Sequence, residues 1–136
     1  MKYNLNQNRI YATGMSNGGF FSFLLACQLS QKIAAVASVT GSMTNETYQN
    51  CNPSKEVPVL QIHGTDDPIV TYNGNSSIGS IGIEPVLAYW KLNNYCGGPT
   101  ISELNDSNPN DNFYVHRVLF VVSIFTYFFF GNIKSL

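Results

Sequence analysis

Along the first hundred positions, apolar residues fall in short dense blocks separated by turn-forming residues. Arg9-Ile-Tyr-Ala-Thr-Gly14 is a β-prone run that follows an Asn-rich turn and stops at glycine, which predicts a buried strand. After Gly18-Gly19, the segment Phe20-Phe-Ser-Phe-Leu-Leu-Ala-Cys-Gln-Leu-Ser30 loses β alternation and fits a packed helix. Ile33-Ala-Ala-Val-Ala-Ser-Val-Thr40 predicts a second buried strand. Val57-Pro-Val-Leu-Gln-Ile-His63 predicts a third, with its proline near the start, where a missing N–H does least harm. Glu84-Pro-Val-Leu-Ala-Tyr-Trp-Lys-Leu-Asn93 places apolar residues at helical spacing behind a first-turn proline. Continuous apolar strands alternating with helices are the pattern of a parallel sheet covered on both faces, so the fold class is α/β.

Beyond residue 98 the pattern changes. Residues 99–112 are rich in Asn, Asp, Ser and Pro and read as a polar loop, and residues 113–136 form an apolar tail. This divides the chain into the central part of an α/β domain (1–98), the loop and the tail. Residues 118–133 carry no charge. As a helix they would reach about 24 Å, short of the roughly 30 Å hydrocarbon core of a bilayer, which makes them a marginal membrane anchor. Their Val, Ile, Phe and Tyr content favours a buried strand. A non-native tail, produced where a reading frame or gene ends in the wrong place, is the third reading.

Composition narrows the class further. Of 136 residues, 44% are hydrophobic and 11% are charged, with a net charge of −1, against a usual charged fraction of about 25%. A chain this apolar is not intrinsically disordered, and one this poor in basic residues has no electrostatic footprint for nucleic acid. The polar start Met1-Lys-Tyr-Asn-Leu-Asn-Gln-Asn lacks the apolar centre of a signal peptide. Cys27, Cys51 and Cys96 show no paired-ligand spacing for zinc, and an odd count leaves at least one thiol outside any disulfide. Cys51 and Cys96 lie in turn-like contexts where a bridge could clip a loop in an oxidising compartment, whereas Cys27 reads as a small buried hydrophobe. Asn45, Asn75 and Asn105 begin glycosylation acceptor triplets, which matter only in a eukaryotic secretory pathway.

The candidate chemistry starts at the first strand-to-helix junction, Gly14-Met15-Ser16-Asn17-Gly18-Gly19, which contains G-x-S-x-G. A nucleophile elbow needs a sharp turn there. Gly14 and Gly18 would remove the side chains that collide in it and leave the Ser16 hydroxyl exposed. The backbone N–H of Asn17, at a helix N-terminus, would supply half of an oxyanion hole. A dinucleotide fingerprint would need glycine where Ser16 stands, and a P-loop would need lysine where Phe20 stands. A plain glycine-rich connection remains the alternative. A second constellation, His63-Gly64-Thr65-Asp66-Asp67-Pro68, follows the third strand. Asp67 is placed to be the acid that orients a catalytic histidine, with Asp66 as competitor and a turn-forming pair of aspartates as the alternative. His63 comes before the acid in chain order and reads as a structural histidine. His116 sits in an apolar, glycine-free context and does not read as a general base.

These segments, with Tyr72, resemble the polyhydroxybutyrate depolymerase and feruloyl esterase family of α/β hydrolases from about residue 3 to residue 98. The resemblance implies a serine esterase, usually secreted, acting on polyester, feruloyl or acetyl esters, with Ser16 as nucleophile, Asp67 as acid and Asn17 as backbone oxyanion donor. That mechanism needs no metal and no organic cofactor, and the sequence shows no ligand cluster. Members of that family carry several strands before the elbow and a histidine in a glycine-rich segment near the end, and this sequence shows neither. The expectation is an incomplete α/β-hydrolase fold without its general base, inactive by itself. The alternatives are a non-catalytic remnant of the scaffold held at a membrane through residues 118–133, or a pseudo-enzyme that binds a polyester or glycan surface.

Overall fold

A computed structural model of the chain describes residues 4–103, 113–120 and 126–133. Its elements in chain order are β1 (Tyr11–Met15), α1 (Asn17–Gln28), β2 (Ala35–Val39), α2 (Asn45–Asn50), β3 (Val59–Gly64), α3 (Ile83–Asn93), β4 (Pro99–Glu103), β5 (Phe113–Phe120) and β6 (Thr126–Ile133). They build one six-stranded sheet in the order β1-β2-β3-β6-β5-β4. Strands β1, β2, β3 and β6 run parallel, and β5 and β4 are added antiparallel. The α/β class expected from the hydrophobic blocks is the observed one, with a mixed rather than wholly parallel sheet.

Three strand registers fix which residues share a face. Ala12 is level with Val36 and Val36 with Val59, and these residues point toward the helices. Helix α1 buries Phe23, Ala26 and Cys27, and α3 buries Ile83, Val86, Leu87 and Trp90, all in one cluster with Val36 and Val59. Phe23 and Trp90 stack at a centroid separation of 6.1 Å and tie the two helices together. Each such side chain, fully buried, is worth about 1.5–3 kcal/mol. The opposite face of the parallel strands is open among the described residues: Tyr11 is 66% exposed, Met15 70% and Ile62 40%.

Helix α2 was not legible as a helix, because none of its residues is buried and no apolar period marks it. It forms at a cap, where the Thr44 hydroxyl oxygen accepts from the Thr47 N–H at 3.0 Å. Helix α3 ends at Asn94, whose buried side chain takes the Val57 N–H at 3.1 Å and donates to the Val57 carbonyl at 2.8 Å. The amide thereby acts as a strand partner and pins the entry to β3.

Two expectations are corrected. Pro99–Glu103, read as the start of a polar loop, is strand β4, paired from Pro99↔Phe120 to Glu103↔His116. The β5 ladder overrides the local turn-forming composition, and Pro99 takes the first position of the strand, where proline is tolerated. Residues 104–112, the rest of that loop, lie outside the described residues. The Cys51–Cys96 clip is also replaced: Cys51 is bonded to Cys27, with their Cα atoms 4.9 Å apart. Cys27 is buried as expected, yet the last turn of α1 lies against the segment leaving α2 and brings the two sulfurs together.

Within the uncharged stretch 118–133, the described residues are strand, in β5 and β6, and residues 121–125 lie outside the described residues. No helix among the described residues is long and apolar enough to cross a membrane.

Candidate functional site

Ser16 occupies the single residue between β1 and α1, at φ 53° and ψ −117°. Left-handed φ is costly for a residue with a Cβ. The turn is held on both sides: the Ser16 N–H donates to the Val39 carbonyl at 2.9 Å, and its carbonyl accepts from Gly19 at 2.8 Å and Phe20 at 3.1 Å. Ser16 stands at the N-cap of α1, but its hydroxyl makes no capping bond. The N–H of Asn17, in the first turn of α1, has no intrahelical acceptor. Thr40, at the end of the neighbouring strand β2, is also left-handed, at φ 46°.

The glycines around this turn divide differently from expectation. A Cβ on Gly14 would lie 2.6 Å from the Gly18 Cα and carbonyl carbon, so Gly14 is sterically required. Gly18 supplies the backbone that is met, but a Cβ on Gly18 itself meets nothing within 4 Å, which corrects its assignment as a side-chain-free position. The second requirement falls on Gly19, where a Cβ would come 2.5 Å from the Ser38 Oγ and 3.0 Å from the Gly41 Cα. Two successive glycines in the first turn of a helix, each costing about 1 kcal/mol in helix propensity, were the sequence signal for that contact.

Asp67 lies in the loop that leaves β3, at the same carboxyl edge of the sheet as Ser16. Its Oδ1 accepts from the N–H groups of Ile69 and Val70, both at 2.9 Å. These bonds hold the carboxylate while leaving Oδ2 without a hydrogen bond among the described residues. The turn-forming alternative and the acid role are compatible, since they use different oxygens. Asp66 is exposed.

His63 is 1% exposed. Its Nε2 lies 2.7 Å from the Val70 carbonyl and its Nδ1 3.2 Å from the Gln61 amide nitrogen, so both ring nitrogens are engaged within the core. The structural reading of this histidine agrees with that geometry. His116 sits within β5, level with Phe130 of β6 and Glu103 of β4. Tyr72 packs edge-on to His63 at 6.2 Å and donates its hydroxyl to Glu84. Burial first, and then the bond to Glu84 and its charge, push the Tyr72 hydroxyl above the usual tyrosine range. A cleft of about 530 Å³ opens beside Asn17, lined on the α1 side by Phe20, Phe21 and Leu24 and on the other by Thr44 and Thr47.

Feruloyl esterase B of Piromyces equi is 32% identical to this chain over 117 residues, which cover 79% of the chain and 21% of that protein. A bifunctional acetylxylan esterase/xylanase of Neocallimastix patriciarum is 32% identical over 71 residues, 52% of this chain and 10% of that protein. The chain thus spans about a fifth of the length of the first and a tenth of the second. A solved thermostable esterase aligns with 65% of this chain and 22% of its own, at 24% identity and a TM-score of 0.48. The sequence profile of the phospholipase/carboxylesterase family matches residues 1–81, more than half of the chain. Because that match spans residues 1–81, through β1, α1, β2 and β3, this chain belongs to the phospholipase/carboxylesterase family of α/β hydrolases.

Proposed function

We propose that this chain is the central part of a serine carboxylic-ester hydrolase, in which Ser16 attacks the ester carbonyl, Asp67 orients a histidine base and the Asn17 N–H receives the developing oxyanion. The observation that carries the reading is Ser16 itself, a strained N-cap serine whose hydroxyl is not spent on its own helix. Ser16 and Asp67 follow the two strands on either side of β2, a separation of about 10 Å at strand level, into which an imidazole and its two hydrogen bonds fit. The histidine would take the serine proton and return it to the leaving alcohol, and water would then release the acid.

Neither histidine of the chain supports the role of base. His63 is committed to Val70 and Gln61, and His116 lies within β5, beyond β6 from the acid loop. Turnover by these 136 residues alone is therefore expected near background, since removing a triad member costs about 10⁴–10⁶ in kcat. The names of the relatives support a plant cell-wall ester, feruloyl or acetyl, as substrate class, and the family resemblance adds polyesters. The Cys27–Cys51 disulfide supports an oxidising, extracellular setting.

The test is hydrolysis of p-nitrophenyl acetate with and without added imidazole, which stands in for the base, with turnover read throughout as the rate above that of imidazole alone at the same concentration. Imidazole-assisted turnover is expected to vanish in Ser16→Ala, to fall in Asp67→Asn and to be unchanged in His116→Ala. Turnover that survives Ser16→Ala overturns the nucleophile assignment. Unassisted turnover that is lost in His116→Ala overturns the claim that the base is absent.

A further inference from the structure

The proposed hydrolysis gives no role to two buried polar side chains of β3, Gln61 and His63, which are 0% and 1% exposed. They lie two residues apart on a strand and so share its helix-facing side. The Gln61 amide nitrogen donates to the Gly41 carbonyl at 2.9 Å and approaches His63 Nδ1 at 3.2 Å. An amide nitrogen carries two hydrogens and no acceptor site, so Nδ1 must accept. At the other side of the ring, Nε2 faces the Val70 carbonyl at 2.7 Å and must donate. Both constraints select one form of His63, neutral and protonated at Nε2.

Each end of this hydrogen-bonded chain reaches one of the two candidate loops. Gly41 presses on the elbow, since a Cβ on it would come 2.8 Å from the Gly19 Cα. Val70, whose carbonyl holds His63, donates its own N–H to Asp67 Oδ1 at 2.9 Å. Apolar residues of similar size would fill this part of the core without the desolvation cost of two polar groups. What they could not do is connect two loops directionally. We propose that Gln61 and His63 are positioning residues that set the Asp67 loop at a fixed placement relative to the Ser16 elbow. The inference rests on the serine-hydrolase reading of Ser16 and Asp67.

Three measurements test it. First, ¹⁵N NMR of the folded chain is expected to find His63 protonated at Nε2 alone; a ring protonated at Nδ1 overturns the proposal, because Val70 would then have no donor. Second, His63→Gln keeps a donor near the Nε2 position, whereas His63→Asn reaches only as far as Nδ1. Amide exchange at Val70 is expected within about threefold of the unmodified protein in His63→Gln and at least about tenfold faster in His63→Asn; equal rates in both variants overturn the proposal. Third, His63→Asn is expected to cut imidazole-assisted hydrolysis of p-nitrophenyl acetate about tenfold, and to cut it no further in an Asp67→Asn background. An equal loss in both backgrounds marks a merely structural histidine and overturns the proposal. Should His63→Asn fail to fold, the NMR measurement and His63→Gln decide it. Failure of the serine reading is told apart by Ser16→Ala: turnover that survives that change overturns the serine assignment, whereas turnover lost in Ser16→Ala but untouched by His63→Asn overturns the positioning role alone.

Discussion

Gly19 and Gly41 meet backbone to backbone: a Cβ on Gly41 would lie 2.8 Å from the Gly19 Cα, and one on Gly19 would lie 3.0 Å from the Gly41 Cα. Gly18, one residue away, has open space. Gly19→Ala is therefore expected to lower stability by about 2–3 kcal/mol through overpacking. Gly18→Ala is expected to raise it by about 0.5–1 kcal/mol through helix propensity. Urea denaturation of the two variants checks this, and equal effects would remove the contact as the reason glycine is needed.

The backbone of Ser16 makes a second prediction. At φ 53° and ψ −117° a Cβ is strained, and glycine adopts that region freely. Ser16→Gly should be more stable than Ser16→Ala by about 1–2 kcal/mol, because only the first relieves the turn. Thermal unfolding of the pair measures the difference, and a more stable alanine variant would show that the turn is unstrained.

The Cys27–Cys51 bridge closes a loop with a sequence separation of 24. The chain-entropy relation for a loop of that length gives about 3.5 kcal/mol. A Cys27→Ala/Cys51→Ala double variant should lose about that much in urea unfolding, and dithiothreitol should destabilise the unmodified chain but leave the double variant unchanged.

Alkaline pH should unfold the protein in part through Tyr72. Its hydroxyl is raised above the ordinary tyrosine value of about 10 by burial first and by Glu84 second. The unfolded chain releases this proton near pH 10 while the folded one keeps it, so the unfolded state binds fewer protons and stability falls as pH climbs above 10. Below pH 10 the contribution is fully present. Tyr72→Phe should flatten the fall in stability between about pH 10 and 12, as read from urea midpoints across that range. Tyr89, also raised by burial and then by Tyr48, should leave a residual slope.

The parallel half of the fold was legible because its elements are driven by local pattern. Val59 and Ile83 to Trp90 announce themselves by apolar run and helical period, and the small residues flanking Ser16 announce a tight turn. What stayed hidden depends on partners distant in sequence. Cys27 meets Cys51 only once α1 and α2 are docked, so spacing favoured a bridge between two turn-like contexts instead. Asn94 is a polar residue at a helix end until its amide is seen bonded to Val57. Gln61 looks like a polar interruption of a buried strand until Gly41 and His63 supply its acceptors. Pro99–Glu103 carries loop composition and becomes a strand because β5 offers a ladder. Around the candidate site, the tight turn at Ser16 and the loop that carries Asp67 were readable, while the requirement for Gly19 and the hydrogen bonds of Gln61 and His63 were not.

The ladder joining β3 to β6 has three paired positions, Ile62↔Phe129, His63↔Phe130 and Gly64↔Gly131. Every residue proposed to act on an ester, or to place one that does, lies on the β1–β3 side of that seam. Backbone hydrogen bonds are blind to side-chain identity, so the seam asks its neighbour for extended conformation and little else. The strand beside β3 is in this sense a replaceable part. Backbone pairing at Phe129, Phe130 and Gly131 sets a much weaker demand on side-chain identity than the contact that holds glycine at position 19.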